Sequence, residues 1–99
     1  MRLYHGTTKD SFDGIKKAGV INGRVYLTPE YQTAKDYAEN NSDEIVIIEV
    51  EIDYNELNAD REFVKSGEVD WLEESLENGS CYIDRDISVN EFISIEELK

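Results

Sequence analysis

Apolar and charged residues alternate in the second half of one stretch of the chain, which runs from residue 44 to residue 54. Ile48, Val50, Ile52 and Tyr54 occupy one set of positions, and Glu49, Glu51 and Asp53 occupy the other. A period of two is typical of a β-strand with one face against a core. The first half of the stretch is apolar at successive positions, which predicts a strand buried on both faces.

Two stretches in the first half of the chain have the signals of an α-helix. The first helix is predicted to run to about residue 18, with Thr8 or Asp10 as its cap and Gly19 at its end. The second is predicted to start at 28–30, where a threonine, a proline and a glutamate supply a hydroxyl cap, a first-turn proline and an acid near the helix dipole. It is predicted to run to about residue 39.

A third helix is predicted over residues 68–78, with Val69, Leu72 and Leu76 facing inward and Gly79 at its end. The other apolar segments are short and predict strands over 2–5, 24–27, 81–87 and 90–95, the last two forming a final pair. Residues 55–66 are predicted to be irregular or a helical turn. Together these elements predict an α+β fold of mostly short strands, in one domain covering residues 1–99.

Charge is distributed unevenly along the chain. Residues 1–42 carry six Lys/Arg and five Asp/Glu, a net charge of +1, whereas residues 43–99 carry four Lys/Arg and eighteen Asp/Glu, a net charge of −14. An acidic surface repels phosphate backbones, so direct binding to nucleic acid is not expected. Two interpretations stay open: a solvated face that keeps the protein soluble, or a docking surface for a basic protein.

Several classes of protein are excluded by what the sequence lacks. The single cysteine, Cys81, has no partner for an internal disulfide, and no residues have metal-ligand spacing, so no metal is expected. No apolar run is long enough to cross a membrane, and the N-terminus has no apolar core of a signal peptide. We therefore expect no membrane association and a reducing cytoplasm as the location, in the cell that makes the protein or in its host.

Three groups of residues are candidates for chemistry. His5, the only histidine, precedes Gly6, whose bare backbone lets a ligand approach; a histidine on an apolar face can equally be structural. Tyr26 and Tyr37 flank a helix start and could hold a flat heterocycle or simply pack. Glu91, on a predicted strand, would share a face with Ile93 and Ile95, where its carboxylate must find a partner or reach water.

The same residues lie in segments that resemble the diphtheria-toxin-like and poly(ADP-ribose) polymerase-like ADP-ribosyltransferases. The opening Leu-Tyr-His-Gly-Thr-Thr-Lys of residues 3–9, followed by Ile-Lys-Lys-Ala-Gly-Val at 15–20, resembles the family's first motif. Residues 25–28 and 34–38 resemble its second motif, with the two tyrosines eleven residues apart. Asn-Glu-Phe-Ile at 90–93 is similar to its third. The resemblance covers residues 3–38 and 87–95 and is absent across 55–80.

The resemblance implies split antiparallel β-sheets with two or three short helices, NAD⁺ as co-substrate, and a role for each candidate. Gly6 would pair its backbone with the nicotinamide carboxamide, and Tyr26 and Tyr37 would stack on the ring. His5, with Thr7 nearby, would bond a ribose hydroxyl. Glu91 would bind the 2′-hydroxyl of the nicotinamide ribose and stabilise the positive charge that develops there. The implied catalytic residues are therefore Glu91, His5 and Tyr26.

Departures from the family pattern narrow the implied activity. Ala34 stands where polymerase relatives often have a serine, and Val89 replaces the first acid of the Glu-x-Glu pattern of arginine-modifying toxins. Because the domain is too small to suggest elongation of an ADP-ribose chain, we expect single transfer of ADP-ribose to an intracellular acceptor. The acidic second half of the chain indicates a basic protein that binds nucleic acid as that acceptor. A phage or bacterial effector, including one acting against CRISPR components, is the implied setting.

One alternative to this enzyme is a catalytically inactive scaffold whose acidic surface mimics DNA and blocks a basic partner. Plain hydrolysis of NAD⁺ is a weaker alternative. If Glu91 is not the functional acid, Asp84, Asp86 and Glu96 are the next candidates.

Overall fold

The computed structural model describes residues 1–66, 68 and 70–98. The three α-helices in this part of the chain are α1 (Lys9–Ala18), α2 (Tyr31–Glu39) and α3 (Trp71–Glu77). The strands are β1 (Arg2–Thr8), β2 (Val20–Ile21), β3 (Val25–Leu27), β4 (Ile45–Glu51), β5 (Cys81–Ile83), β6 (Ile87–Ser88) and β7 (Phe92–Leu98). Short 3₁₀ turns cover Tyr54–Glu56, Arg61–Phe63 and Val89–Glu91. The predicted α+β class is confirmed.

The strands form one three-stranded sheet and two separate pairs, all antiparallel. The larger sheet has the order β1-β4-β7, while β2 pairs with β6 and β3 pairs with β5. Strand β4 is central, and its residues from Ile45 to Ile48 are all buried, as the double-sided apolar pattern predicts. Helix α2 covers one face of the sheet and contacts β1 most extensively. No helix in the described residues is long and apolar enough to cross a bilayer.

The prediction of a final strand pair is wrong. Strand β5 pairs with β3, β6 pairs with β2 and β7 pairs with β4, so each of the three belongs to a different sheet. Glu91 is also not in a strand. It ends the 3₁₀ turn Val89–Glu91, where the Ser88 side chain and the Glu91 side chain cap each other's backbone N–H groups. This reciprocal cap fixes the turn, so β7 begins at Phe92, after the turn, and not at Asn90.

Two predicted helices begin later than expected. Helix α3 starts at Trp71, because the Asp70 side chain accepts hydrogen bonds from the backbone N–H groups of Leu72 and Glu73. The predicted inward position of Val69 lies outside the described residues. Helix α2 starts at Tyr31, and the Thr28 hydroxyl accepts a hydrogen bond from the Glu30 N–H just before it.

Candidate functional site

A cleft of about 510 Å³ lies where β1, β3 and α2 meet the turn Arg61–Phe63. Four of the six residues assigned to the site from the sequence line it: His5, Gly6, Tyr26 and Tyr37. Its volume is within the range of small-molecule and cofactor sites. Residues separated by as many as 32 positions in the chain are therefore gathered around one cavity.

His5 connects the two strands that form the floor of this cleft. Its Nδ1 lies 2.9 Å from the carbonyl oxygen of Tyr26. Because a carbonyl only accepts, Nδ1 must carry the proton, which leaves Nε2 as the acceptor of a neutral ring. Burial lowers the pKa of His5, and the hydrogen bond to Tyr26 opposes that shift only in part. A neutral imidazole with a free acceptor nitrogen is suited to bind a hydroxyl donor.

The backbone of Gly6 faces the cleft. The N–H and C=O of Tyr4 bond to Thr28, on the edge of β1 away from β4. Backbone groups two residues apart in a strand point to the same edge, so the N–H and C=O of Gly6 also point away from β4. No described residue bonds to them, since Pro29 follows Thr28 and the chain then enters α2. Gly6 thus presents a buried donor and acceptor pair to a ligand.

The side chains of the two tyrosines differ in their exposed fraction. Tyr37 is 66% exposed and Tyr26 is 47% exposed. The Tyr26 ring packs obliquely on Tyr82, with 5.6 Å between ring centroids. Tyr37 lies one helical turn after Ala34, whose carbonyl abuts Gly6, and all three residues line the cleft. An aromatic ring so exposed contributes little to packing and is available to stack on a ligand.

Thr7 and Glu91 are not among the residues that line the cleft. Thr7 lies on β1 opposite Val46 of β4. Glu91 lies in the turn after β6, which pairs with β2 next to the cleft. The Arg85 guanidinium binds both carboxylate oxygens of Glu91, at 2.9 and 3.0 Å, and the Ser88 N–H donates to one of them at 2.9 Å.

These contacts keep the Glu91 carboxylate ionised and fixed. The hydrogen bonds from Arg85 lower the pKa of Glu91, the hydrogen bond from the Ser88 N–H acts in the same direction, and partial burial opposes both. Arg85 also binds Glu56, with 2.7 Å between its Nε and the carboxylate. The catalytic role of Glu91 stays a prediction, because the carboxylate lies outside the cleft lining.

The three acidic residues that the sequence offers as alternatives to Glu91 each bind another residue. Asp84 pairs with Arg24 at 3.0 Å, the carboxylate of Asp86 accepts a hydrogen bond from the Gly23 N–H at 2.8 Å, and Glu96 accepts one from the Tyr31 hydroxyl. None of the three lines the cleft. Their sequence proximity to Glu91 did not indicate where their side chains bind.

The sequence did not identify the turn Arg61–Phe63 as part of the site. Asp60, Glu62 and Phe63 line the cleft, together with Gly79 and Ser80. The only local signal is Asp60, which caps this turn by accepting a hydrogen bond from the Glu62 N–H. That signal predicts a turn, but nothing in the sequence of residues 55–66 indicates that it folds against β1 and β3.

The burial of His5 makes the stability of the fold sensitive to mild acid. The pKa of His5 is lower in the folded chain, so the unfolded chain binds the proton first and unfolding becomes easier as pH falls below about 6.5. We expect the urea midpoint to fall between pH 7.5 and 5.5, and His5→Asn to lose most of that change. The same pH dependence in both proteins would show that another group is responsible.

Comparison with known proteins supports the fold. No protein-family model and no curated protein matches the chain. Two solved structures of protein CC0527 from Caulobacter crescentus, one of them a double mutant, are similar to it. Each has a TM-score of 0.66 and 15% sequence identity, over 100% of this chain and 87% of the other. At this identity the similarity shows a shared fold.

Proposed function

We propose that this protein is an NAD⁺-dependent mono-ADP-ribosyltransferase that binds the dinucleotide in the cleft. The observation that carries the proposal is the presence of His5, Gly6, Tyr26 and Tyr37 around one cavity of about 510 Å³. These are the residues to which the resemblance gives cofactor-binding roles. The backbone N–H and C=O of Gly6, to which no described residue bonds, support the proposal independently, since a carboxamide has the complementary donor and acceptor.

The cleft has a suitable group for the nicotinamide ring, for a ribose hydroxyl and for the diphosphate. Nicotinamide would pair with the Gly6 backbone and stack on Tyr37 and Tyr26, at about 0.5–1.5 kcal/mol for each aromatic pair. A ribose hydroxyl would donate to Nε2 of His5. Arg24 is the guanidinium among the described residues of the cleft wall, and it would offset the negative charge of the diphosphate.

Glu91 would provide the negative charge that favours departure of nicotinamide. The positive charge that develops on the ribose as the glycosidic bond breaks is stabilised by a fixed carboxylate. Arg85 and the reciprocal cap with Ser88 hold Glu91 in one orientation, and among the described residues its Oε1 accepts a hydrogen bond only from Arg85. A lone pair of that oxygen is therefore left for the 2′-hydroxyl.

Replacement of Tyr37 by alanine is expected to weaken NAD⁺ binding without unfolding the protein. Loss of one stacked ring should raise the dissociation constant about tenfold. The free energy of unfolding should change by less than about 0.5 kcal/mol, because the side chain is 66% exposed. Titration calorimetry measures the affinity, and Tyr54→Ala is the matched control, since that tyrosine is exposed and lies outside the cleft lining. Equal affinity of Tyr37→Ala and wild type would refute the stacking role.

Transfer itself is tested with radiolabelled NAD⁺ and a bacterial lysate. We expect label on a discrete protein band, released nicotinamide in equal amount, and an added ADP-ribose by mass spectrometry of that band. A basic acceptor is expected, because residues 43–99 carry a net charge of −14 and attract positive surfaces. Free nicotinamide without a labelled band would instead indicate hydrolysis of NAD⁺.

One observation favours a second candidate, an inactive scaffold that binds a basic partner. The bidentate pair of Glu91 with Arg85 is the kind of contact that holds a structural carboxylate. An inactive scaffold would inhibit its partner without NAD⁺, and Glu91→Gln would inhibit equally well. Inhibition that requires NAD⁺ would exclude this candidate.

A further inference from the structure

A second pocket of about 270 Å³ adjoins the cleft. It shares Arg24, Tyr26, Asp60 and Glu62 with the cleft, and its other lining residues are Arg61 and Tyr82. Tyr26 therefore lines both cavities. If NAD⁺ occupies the cleft with nicotinamide near Tyr26, the second pocket is the adjacent space through which an acceptor group can reach the ribose.

Two carboxylates lie at the junction of these pockets, and they differ in what they bind. The oxygens of Asp60 accept hydrogen bonds from the Ser80 hydroxyl, at 2.9 Å, and from the Glu62 N–H, at 3.2 Å. The carboxylate of Glu62 makes no hydrogen bond or ion pair with any described residue. Both oxygens of Glu62 thus have no partner among the described residues, whereas each oxygen of Asp60 already accepts one hydrogen bond.

The turn that carries Glu62 is fixed at both ends. The Asp60 N–H donates to the hydroxyl of Ser75, a fully buried side chain, at 2.9 Å. The Asn78 side chain donates to the carbonyl of Phe63 at 2.7 Å. These contacts to α3 and the residue that ends it fix the backbone from which the exposed Glu62 side chain extends.

We propose that Glu62 takes the proton of the incoming nucleophile, a proposal that rests on the function proposed above. The bond between C1′ of the ribose and the nicotinamide nitrogen breaks, and its electron pair leaves with nicotinamide. A lone pair of the acceptor hydroxyl or amine, or of water, forms the new bond to C1′. The proton released from the nucleophile passes to the Glu62 carboxylate and then to solvent. Glu91 and Glu62 thus have separate tasks in the same step, Glu91 on the ribose and Glu62 on the incoming nucleophile.

The test uses Glu62→Gln, with Glu77→Gln as the control, because Glu77 is an exposed helical glutamate that lines neither pocket. We expect Glu62→Gln to lower transfer and nicotinamide release at least about 10²-fold, as loss of a general base does. Its affinity for NAD⁺ should stay within about twofold of wild type. Azide has no proton to lose, so azide should restore nicotinamide release to Glu62→Gln but not to Glu91→Gln.

Three results would overturn the proposal. These are a wild-type rate in Glu62→Gln, a loss of NAD⁺ affinity that accounts for the whole loss of rate, or a failure of azide to restore release. If the wild-type protein is active, each of these results would refute the role of Glu62 but not the proposed transferase function. A wild-type protein that neither binds NAD⁺ nor releases nicotinamide would refute the proposed function, and the role of Glu62 with it.

Discussion

Gly6→Ala is expected to destabilise the fold by about 3 kcal/mol and to disrupt the cleft. A Cβ atom at Gly6 would lie 2.1 Å from the carbonyl oxygen of Ala34 and 2.8 Å from its carbonyl carbon. Both are backbone atoms of α2, so no side-chain rotation relieves the contact. The helix would have to move away from β1, and Tyr37 would move with it. Urea denaturation and NAD⁺ titration measure the two effects.

Gly14→Ala is the matched control for this substitution. Gly14 lies in α1, and a Cβ atom there would meet nothing within 4 Å. Alanine in an exposed helical position should raise the free energy of unfolding by about 0.5–1 kcal/mol. The two glycine substitutions are therefore expected to change stability in opposite directions. A Gly6→Ala protein as stable as wild type would show that α2 does not pack on β1 as described.

Glu91→Gln is expected to lower the turnover of NAD⁺ about 10²-fold or more, if Glu91 stabilises the ribose in the transition state. Glutamine keeps the size of the side chain and an acceptor for the Ser88 N–H, but it has no charge and only one oxygen for Arg85. The loss should therefore lie mainly in the rate of nicotinamide release, with NAD⁺ affinity nearly unchanged. Single-turnover measurements separate the two quantities.

Glu97→Gln controls for the loss of a paired carboxylate. Glu97 is bonded to Lys9 at 2.8 Å, and this contact lowers its pKa, as Arg85 lowers that of Glu91. Glu97 lies on β7 outside the cleft lining, so its replacement should leave turnover unchanged. Equal turnover in wild type and Glu91→Gln would assign Glu91 a structural role in the turn Val89–Glu91.

Local patterns in the sequence predicted the helices and strands that depend mainly on neighbouring residues. The alternation around Ile48 predicted the central strand, and Gly19 adopts the left-handed conformation that ends α1, with a φ of 79°. The pairing of the last three strands could not be predicted in the same way. Strands β5 and β6 have only three and two residues with which to specify a partner, so the arrangement of the whole chain decides their pairing and leaves β7 to pair with β4.

The candidate site was predictable where a short motif carries its own geometry. The His5–Gly6 pair and the two tyrosines lie on or beside elements that the sequence predicts, although not with the observed ends, and all four residues line one cleft. Glu62 carries no such mark. It reaches the cleft because Ser75, Asn78 and Ser80, which lie 13–18 residues further along the chain, hold its turn in place. Contacts of this kind depend on the tertiary structure.

The position of NAD⁺ on the protein is best tested by adding the dinucleotide to isotopically labelled protein and mapping the changes in the amide NMR spectrum. At 11.4 kDa the protein is well suited to this measurement. We expect saturable shifts centred on Gly6, Tyr26 and Tyr37, with the Gly6 amide among the largest because it would bond to the carboxamide. A spectrum unchanged at millimolar NAD⁺, or shifts centred on another surface, would contradict the proposed site.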